Sequence, residues 1–253
     1  MKVLTILLCL SSAALGAADA AGPTIVLVHG AFADGSSWTR VIPILQADGY
    51  NVIAVQNPLT SLPDDVATTK RVIDAQKGSV VVVGHSYGGA VMTAAAAGNS
   101  HVKALVYIAA FAPDTDEVLA APGEKFAAPP LSAALVPDAA GFLYVDPAKF
   151  RDVVCSDLPA ADARVAAATQ KPVSGSVFAA PVPGGAWKTI PSWYIVASQD
   201  RAINPELERF YAKRIGATTT EIGSSHVPFL SHPAEVAMVI ETAARASSVR
   251  TTR

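Results

Sequence analysis

The chain has 253 residues, of which 51% are hydrophobic and 16% are charged, and its formal net charge is −2. This composition excludes a disordered chain and is sufficient for one large domain with a sizeable core. The Lys and Arg residues are scattered along the sequence. That scatter argues against a nucleic-acid-binding surface, which requires clustered positive charge.

The first twenty residues have the pattern of a secretory signal peptide. Lys2 supplies a positive charge, residues 3–10 are apolar, and Ala18-Asp19-Ala20 is a small-x-small cleavage site. The apolar run is much shorter than the roughly 20 residues of a membrane-spanning helix, and no other stretch is apolar enough to span a bilayer. We therefore expect cleavage after Ala20, with Ala18 as the alternative position, and a secreted or periplasmic protein that consists of one domain, 21–253.

Removal of the leader would also remove Cys9 and leave Cys155 as the only cysteine. A single cysteine cannot form an internal disulfide, so the mature fold must depend on its core. Cys155 has no glycine turn or histidine beside it in sequence, and we expect a buried thiol there rather than a nucleophile.

Short apolar runs alternate with helical patterns along the rest of the chain. The predicted order is strand 24–28, helix 37–48, strand 51–55, helix 64–77, strand 79–83, helix 87–97, strand 102–108, strand 192–197, helix 205–215, strand 218–222 and helix 233–244. Strands that are apolar throughout are typical of a parallel sheet buried on both faces. The alternation therefore predicts an α/β fold with helices on both faces of a mostly parallel sheet.

The alternation breaks between about residues 112 and 190, where Ala and Pro are frequent. Helical patterns appear at 146–154 and 160–169, and a structureless loop of this length is unlikely in a compact domain. We interpret the segment as a lid inserted over the carboxyl edge of the sheet. Its large apolar residues either line a pocket or pack within the lid itself: Phe126, Leu131, Phe142, Leu143, Tyr144, Phe178 and Trp187.

The most informative motif is Gly84-His85-Ser86-Tyr87-Gly88-Gly89, between a buried strand and a helix. In this context G-x-S-x-G is typical of a nucleophile elbow, a strained turn that exposes the serine hydroxyl above the sheet. Side chains at the two motif glycines would collide with the neighbouring strand and helix. Ser86 is therefore the predicted nucleophile.

A serine hydroxyl needs a base at neutral pH, and the chain has five histidines from which to choose one. His226 follows the last strand through a short Gly-Ser-Ser loop, which brings it to the carboxyl edge where Ser86 lies. His29 belongs to the loop after the first strand, His85 is expected to point away from the hydroxyl, His101 is on the amino side of the sheet, and His232 starts the last helix. His226 is the predicted base.

The third residue must orient the imidazole and stabilise its charged form. Asp200 follows the strand 192–197 at the same edge, and Ser…Asp…His is the chain order of this type of site. Asp114, after the strand 102–108, is the alternative. Backbone N–H groups of Ala31, in the loop His29-Gly30-Ala31-Phe32, and of Tyr87 are the predicted oxyanion hole.

Four motifs occur in order: HGAFADGSSW, GHSYGGA, VASQDRAINPELERFYAKRIGA and SSHVPFLSHPAEVA. With them the chain resembles the α/β-hydrolase superfamily, and more closely the branch of plant methylesterases, hydroxynitrile lyases and bacterial esterases. The resemblance implies an eight-stranded sheet, a lid after the sixth strand and no cofactor. It assigns the nucleophile to Ser86, the acid to Asp200, the base to His226 and the oxyanion donors to Ala31 and Tyr87.

We therefore expect a serine hydrolase that cleaves small or medium carboxylic esters without a metal. The histidines show no i, i+4 pair for zinc. The lyases of the branch typically carry threonine and lysine where this chain has Gly30 and Val227, which favours the esterase. Hydroxynitrile cleavage, perhydrolysis, lactone opening and a non-catalytic binding protein with a vestigial site remain as alternatives.

Overall fold

The computed structural model describes residues 22–249, so the predicted signal peptide lies outside the described residues. In chain order the strands of this part are β1 (Thr24–Val28), β2 (Val52–Ala54), β3 (Val80–His85), β4 (Val102–Ile108), β5 (Glu117–Val118), β6 (Leu135–Pro137), β7 (Phe142–Val145), β8 (Val173–Ser174), β9 (Pro181–Val182), β10 (Ser192–Ala197) and β11 (Thr218–Ile222). The α-helices are α1 (Ile42–Ala47), α2 (Leu62–Asp74), α3 (Tyr87–Ala95), α4 (Ala120–Gly123), α5 (Pro147–Val154), α6 (Ala160–Ala168), α7 (Pro205–Arg214), α8 (Pro228–Ser231) and α9 (Pro233–Val249). Short 3₁₀ turns occur at Gly35–Trp38, Pro130–Ala134, Gly175–Phe178 and Ala186–Lys188.

The main sheet is parallel throughout and has the strand order β11-β10-β4-β3-β1-β2. Every residue of β3 and β10 is buried, so both faces of the sheet are covered, as the uniformly apolar strands predict. Helix α2 packs with α3 against β1 and β3, while α9 packs with α1 and contacts β3, β4 and β10. The predicted α/β architecture is confirmed.

The number of strands differs from the expectation. Within residues 22–249 the main sheet has six strands, not the eight that the resemblance implied. Strands β5 to β9 are only two to four residues long and pair among themselves, β5 with β9 and β7 with both β6 and β8. They therefore add no edge strand to the main sheet.

Helix boundaries differ from prediction where proline and capping residues decide them. The predicted helix 37–48 is a 3₁₀ turn followed by α1, because Pro43 lacks an N–H and is accommodated only in the first turn of a helix. Helix α2 begins two residues earlier than expected, since the Ser61 hydroxyl accepts a hydrogen bond from the Asp64 N–H at 3.2 Å and caps it.

Residues 112–190, the segment interpreted from the sequence as an insertion and called the insertion below, contain helices α4 to α6 and the two small antiparallel sheets. The insertion is attached to the main domain by polar contacts such as Ser174 N–H to Leu59 O at 2.9 Å and the Arg214–Glu117 ion pair at 2.5 Å. Whether it acts as a lid stays a prediction. Among residues 22–249, no helix combines the length and apolarity of a membrane span.

Candidate active site

Ser86 lies in the turn between β3 and α3 with the backbone conformation expected of an elbow. Its φ is 52° and its ψ is −123°, a strained conformation for a residue with a side chain. Three backbone hydrogen bonds hold the turn: Ser86 N–H donates to Ile108 O at 3.2 Å, and Ser86 O accepts from Gly89 N–H at 3.0 Å and Phe111 N–H at 3.2 Å. The fold therefore maintains the strain at this serine.

The glycines of the motif are required by close backbone approach. A Cβ on Gly84 would lie 2.7 Å from Gly88 O, and a Cβ on Gly88 would lie 2.5 Å from Val28 O. At Gly89 it would lie 2.4 Å from Phe111 O. The obstacles are backbone atoms of the helix and of neighbouring segments, which supports the steric explanation given from the sequence.

His226 and Asp200, the predicted base and acid, are brought together across two loops of the carboxyl edge. The Nδ1–H of His226 donates to Asp200 Oδ2 at 2.6 Å, and both side chains are almost fully buried. Asp200 Oδ1 accepts from the N–H groups of Ala202 at 2.6 Å and Ile203 at 3.0 Å. The carboxylate is thus fixed by its own loop while it orients the imidazole.

The other acid considered from the sequence, Asp114, occupies a different environment. It forms an ion pair with Lys188, its side chain is about half exposed, and it accepts from Thr115 N–H at 2.6 Å. The Lys188 partner lowers the pKa of Asp114. Asp114 therefore makes no contact with His226 in the described structure.

The predicted oxyanion donors, the N–H groups of Tyr87 and Ala31, both lack an acceptor among the described residues. Tyr87 is the first residue of α3, so its N–H has no acceptor within the helix, while its side chain is buried and donates to Asp65 Oδ2 at 2.7 Å. Ala31 is half-buried, and its N–H makes no hydrogen bond among the described residues. Both N–H groups are consequently available to a ligand atom.

Ser86, His226 and Ala31 line one cavity of about 920 Å³. The insertion contributes much of the apolar lining, and Phe126, Leu131 and Phe178 of the seven apolar residues selected from the sequence belong to it. The other four do not line it: Phe142, Leu143, Tyr144 and Trp187.

A family model described as the alpha/beta hydrolase family matches residues 25–239, which is most of the chain. The chain belongs to the alpha/beta hydrolase family.

Two curated relatives match this alpha/beta hydrolase along most of both chains. A probable hydrolase R7 from a Phoma species is 26% identical and covers 86% of this chain and 96% of its own. A pyrethroid hydrolase from Sphingobium wenxiniae is 30% identical and covers 85% of each chain. Among solved structures, polyneuridine aldehyde esterase has a TM-score of 0.75 at 20% identity, over 87% of this chain and 98% of its own, which is a likeness of fold.

Two histidines of this alpha/beta hydrolase have structural partners. The Nε2–H of His85 donates to the backbone oxygen of His226 at 2.9 Å, so His85 supports the predicted base although it does not bond the Ser86 hydroxyl. Burial lowers the pKa of His85 well below its usual range, with the nearby His226 adding to the effect. His29 accepts from Asn57 N–H at 3.0 Å and donates to Gly30 O at 2.8 Å, which fixes the loop that carries Ala31.

Two acidic residues near His226 were missed by the sequence reasoning. Asp157 of the insertion accepts hydrogen bonds from both the N–H, at 3.0 Å, and the hydroxyl of Ser225, directly before His226. Glu208 of α7 is fully buried close to Asp200. Glu208 lies within the motif VASQDRAINPELERFYAKRIGA, but no local pattern singles out either acid, and only the three-dimensional contacts reveal them.

Two further expectations from the sequence concern metal binding and the reactivity of Cys155. Within residues 22–249, no group of three His, Cys, Asp or Glu side chains is arranged to hold a metal ion. Cys155 is a free, buried thiol beside the cavity, and burial together with Asp157 raises its pKa to about 11. A thiol of this kind is a poor nucleophile at neutral pH.

Proposed function

We propose that this alpha/beta hydrolase cleaves uncharged carboxylic esters through an acyl intermediate on Ser86. The observation that carries the proposal is the strained Ser86 at the cavity, together with the buried His226–Asp200 pair that lines or adjoins the same cavity. A strained serine that lines a cavity together with a carboxylate-oriented imidazole is the arrangement that nucleophilic acyl transfer requires.

In the proposed reaction His226 Nε2 removes the proton from Ser86 Oγ as the oxygen attacks the ester carbonyl carbon. The N–H groups of Ala31 and Tyr87 stabilise the negative oxygen of the tetrahedral intermediate. The C–O bond to the alcohol then breaks, and His226 returns the proton to the leaving alcohol. Water, activated by the same imidazole, hydrolyses the acyl–Ser86 ester and releases the acid.

Among the described residues no hydrogen bond joins Ser86 Oγ to His226. Such bonds are often long or poorly aligned before substrate binds and tighten in the reacting complex, so the proposal requires this bond to form when the substrate binds.

Two features favour ester hydrolysis over hydroxynitrile cleavage. A Cβ on Gly30 would lie 2.9 Å from the Ser86 Cβ and 2.8 Å from His85 Nδ1, so the threonine typical of the lyases has no room there. Val227, where the lyases have lysine, is buried and apolar and offers no positive charge for a departing cyanide.

The lining of the cavity supports substrates with apolar groups on either side of the ester. Phe126, Leu131 and Phe178 from the insertion face the same space as Phe229 and Val227 from the loop after His226. A volume of about 920 Å³ accommodates a medium-sized ester, and one relative is named a pyrethroid hydrolase, so we include a pyrethroid among the test substrates.

We also propose that the enzyme acts outside the cytoplasm, because residues 1–20 have the pattern of a secretory signal peptide.

The first test is a panel of nitrophenyl esters from acetate upward, a pyrethroid, a triglyceride emulsion and a cyanohydrin, all assayed with EDTA. We expect the apolar esters to be hydrolysed in EDTA, and a fluorophosphonate probe to label the wild type at Ser86. Ser86→Ala should lose several orders of magnitude in kcat and all labelling, because the covalent route is removed.

The matched control is Ser132→Ala, since Ser132 also lines the cavity but lies on the insertion. It should keep its activity and its labelling. Cyanohydrin cleavage faster than any ester, activity that depends on added metal, or a fully active Ser86→Ala enzyme would each contradict the proposal. No turnover and no labelling would favour a binding protein.

A further inference from the structure

Asp200 has a second buried carboxyl group beside it, that of Glu208. Glu208 lies on α7 and has no exposed surface, and its Oε2 accepts a hydrogen bond from the Ala197 N–H at 2.9 Å. Ala197 is the last residue of β10, and its backbone oxygen accepts the N–H of Asp200 at 3.1 Å. Glu208 is therefore tied to the base of the turn that carries the predicted acid.

The remaining oxygen of Glu208, Oε1, is buried and receives no hydrogen bond from any donor in the described part of the chain. Its carboxyl group is within hydrogen-bonding reach of the Asp200 side chain. Two ionised carboxylates would both be acceptors, so they could not bond and would repel each other at this contact. One of the two must carry a proton.

The hydrogen-bond partners of the carboxyl oxygens identify which of the two groups, Asp200 or Glu208, carries the proton. Asp200 accepts hydrogen bonds from the N–H groups of Ala202, Ile203 and His226, and these bonds stabilise its ionised form. Glu208 accepts only the Ala197 N–H, and its other oxygen is buried without a donor. The proton therefore belongs on Glu208, where an O–H satisfies the buried oxygen and adds one more donor to Asp200.

The groups around Glu208 agree with a neutral acid. Burial, followed by the negative charge of Asp200, raises its pKa well above the usual range. Arg209 on the same helix acts in the opposite direction, but it is partly exposed and bonded to Glu206 and Glu221. Tyr194 on β10 and Tyr211 on α7 are buried, and burial raises the pKa of both phenols, so neither supplies a charge.

We propose that Glu208 is a neutral carboxylic acid that donates its proton to a hydrogen bond with Asp200 and so positions the His226–Asp200 pair. The inference rests on the proposed function only where activity is the readout. Glu208 does not line the cavity, so it acts through Asp200 and not on the substrate.

The decisive variant is Glu208→Gln, since a glutamine can accept the Ala197 N–H and donate to Asp200 as a protonated glutamate does. We expect this variant to keep wild-type kcat and an unchanged acidic limb in the pH profile of kcat/KM. In Glu208→Leu the side chain can neither accept the Ala197 N–H nor donate to Asp200. We expect its kcat to fall about tenfold or more with little change in KM, because the pair is less well oriented. Its acidic limb should move to higher pH, because an Asp200 with one donor fewer favours the imidazolium.

Glu206→Gln is the matched control, because Glu206 is on the same helix but its side chain is 67% exposed. It should follow the wild type in kcat and in pH profile. If Glu208 were ionised, Glu208→Gln would remove a negative charge near His226 and move the acidic limb to lower pH by about one unit. That shift, or a fully active Glu208→Leu enzyme with the wild-type profile, would overturn the proposal.

Infrared spectroscopy separates this proposal from the proposed ester hydrolysis. The wild type at neutral pH should show the carbonyl band of a protonated carboxyl group, and the band should be missing in Glu208→Gln and present in Glu206→Gln. Identical spectra of wild type and Glu208→Gln would overturn the proposal, whatever the enzyme hydrolyses. If Glu208→Leu does not fold, the infrared spectra and the pH profile of Glu208→Gln still decide whether Glu208 is protonated.

Discussion

At the scale of single residues, burial alone does not separate the histidine that the proposed chemistry uses from the others. His29, His85 and His226 are all buried, and only His226 is bonded to a carboxylate. The position of each histidine relative to a strand end was enough to select His226 from the sequence. The roles of His29 and His85, which bond backbone groups 28 and 141 residues away, depend on contacts that no local pattern carries.

Substitution of Asp200 and of Asp114 tests directly which of the two aspartates orients His226. Asp200→Asn should lower kcat by about a thousandfold or more, because an amide no longer fixes the imidazole tautomer or stabilises its positive charge. Asp114→Asn should leave kcat nearly unchanged, since that side chain pairs with Lys188 away from His226. Steady-state kinetics of the two folded variants measure both; a larger loss in Asp114→Asn would require a different acid.

At the scale of the elements, the main sheet and its helices were predictable and most of the insertion was not. Strands β1, β3, β4, β10 and β11 consist mainly of apolar or β-branched residues, and each lies within two residues of its prediction. Helices α5 and α6 of the insertion were also found, because each has a helical pattern bounded by proline. Strands β5 to β9 were missed, since runs of two to four residues carry no periodicity and exist only through pairing with distant partners.

The loop between α5 and α6 contains Asp157, which connects the insertion to the segment before His226. Asp157→Ala would leave the buried Ser225 N–H without its acceptor and free the His226 loop. We expect kcat to fall about tenfold or more while the fold persists, because small displacements of a reacting group are costly.

Asp152→Ala is the control for this variant. Asp152 belongs to α5 and pairs with Arg201 at 3.1 Å, but its side chain is 62% exposed. Exposed ion pairs contribute little, so kcat should stay at the wild-type value. Equal activity of Asp157→Ala and Asp152→Ala would show that the insertion does not position His226.

At the scale of the whole molecule, the same burial that forms the core makes the stability depend on pH. The pKa of His29 is lowered from 6.5 to about 4, chiefly by burial and against the opposing hydrogen bond to Gly30 O. The unfolded chain therefore binds a proton at His29 below about pH 6.5 that the folded chain does not bind until about pH 4. The contribution of a neutral His29 is complete above that window and is lost as the pH falls through it.

The corresponding prediction is a measurement of unfolding free energy by urea at pH 7 and at about pH 4. The shift in the pKa of His29 corresponds to about 3 kcal/mol of stability lost by the wild type over this range. His29→Gln cannot titrate, so its loss should be smaller by about that amount, even though its stability at pH 7 is lower. His101→Gln, the control at an exposed histidine, should lose as much as the wild type. If His29→Gln and the wild type lose equal stability on acidification, then His29 is protonated or exposed in the folded enzyme. That result would contradict the buried, neutral His29 whose hydrogen bonds fix the loop that carries Ala31.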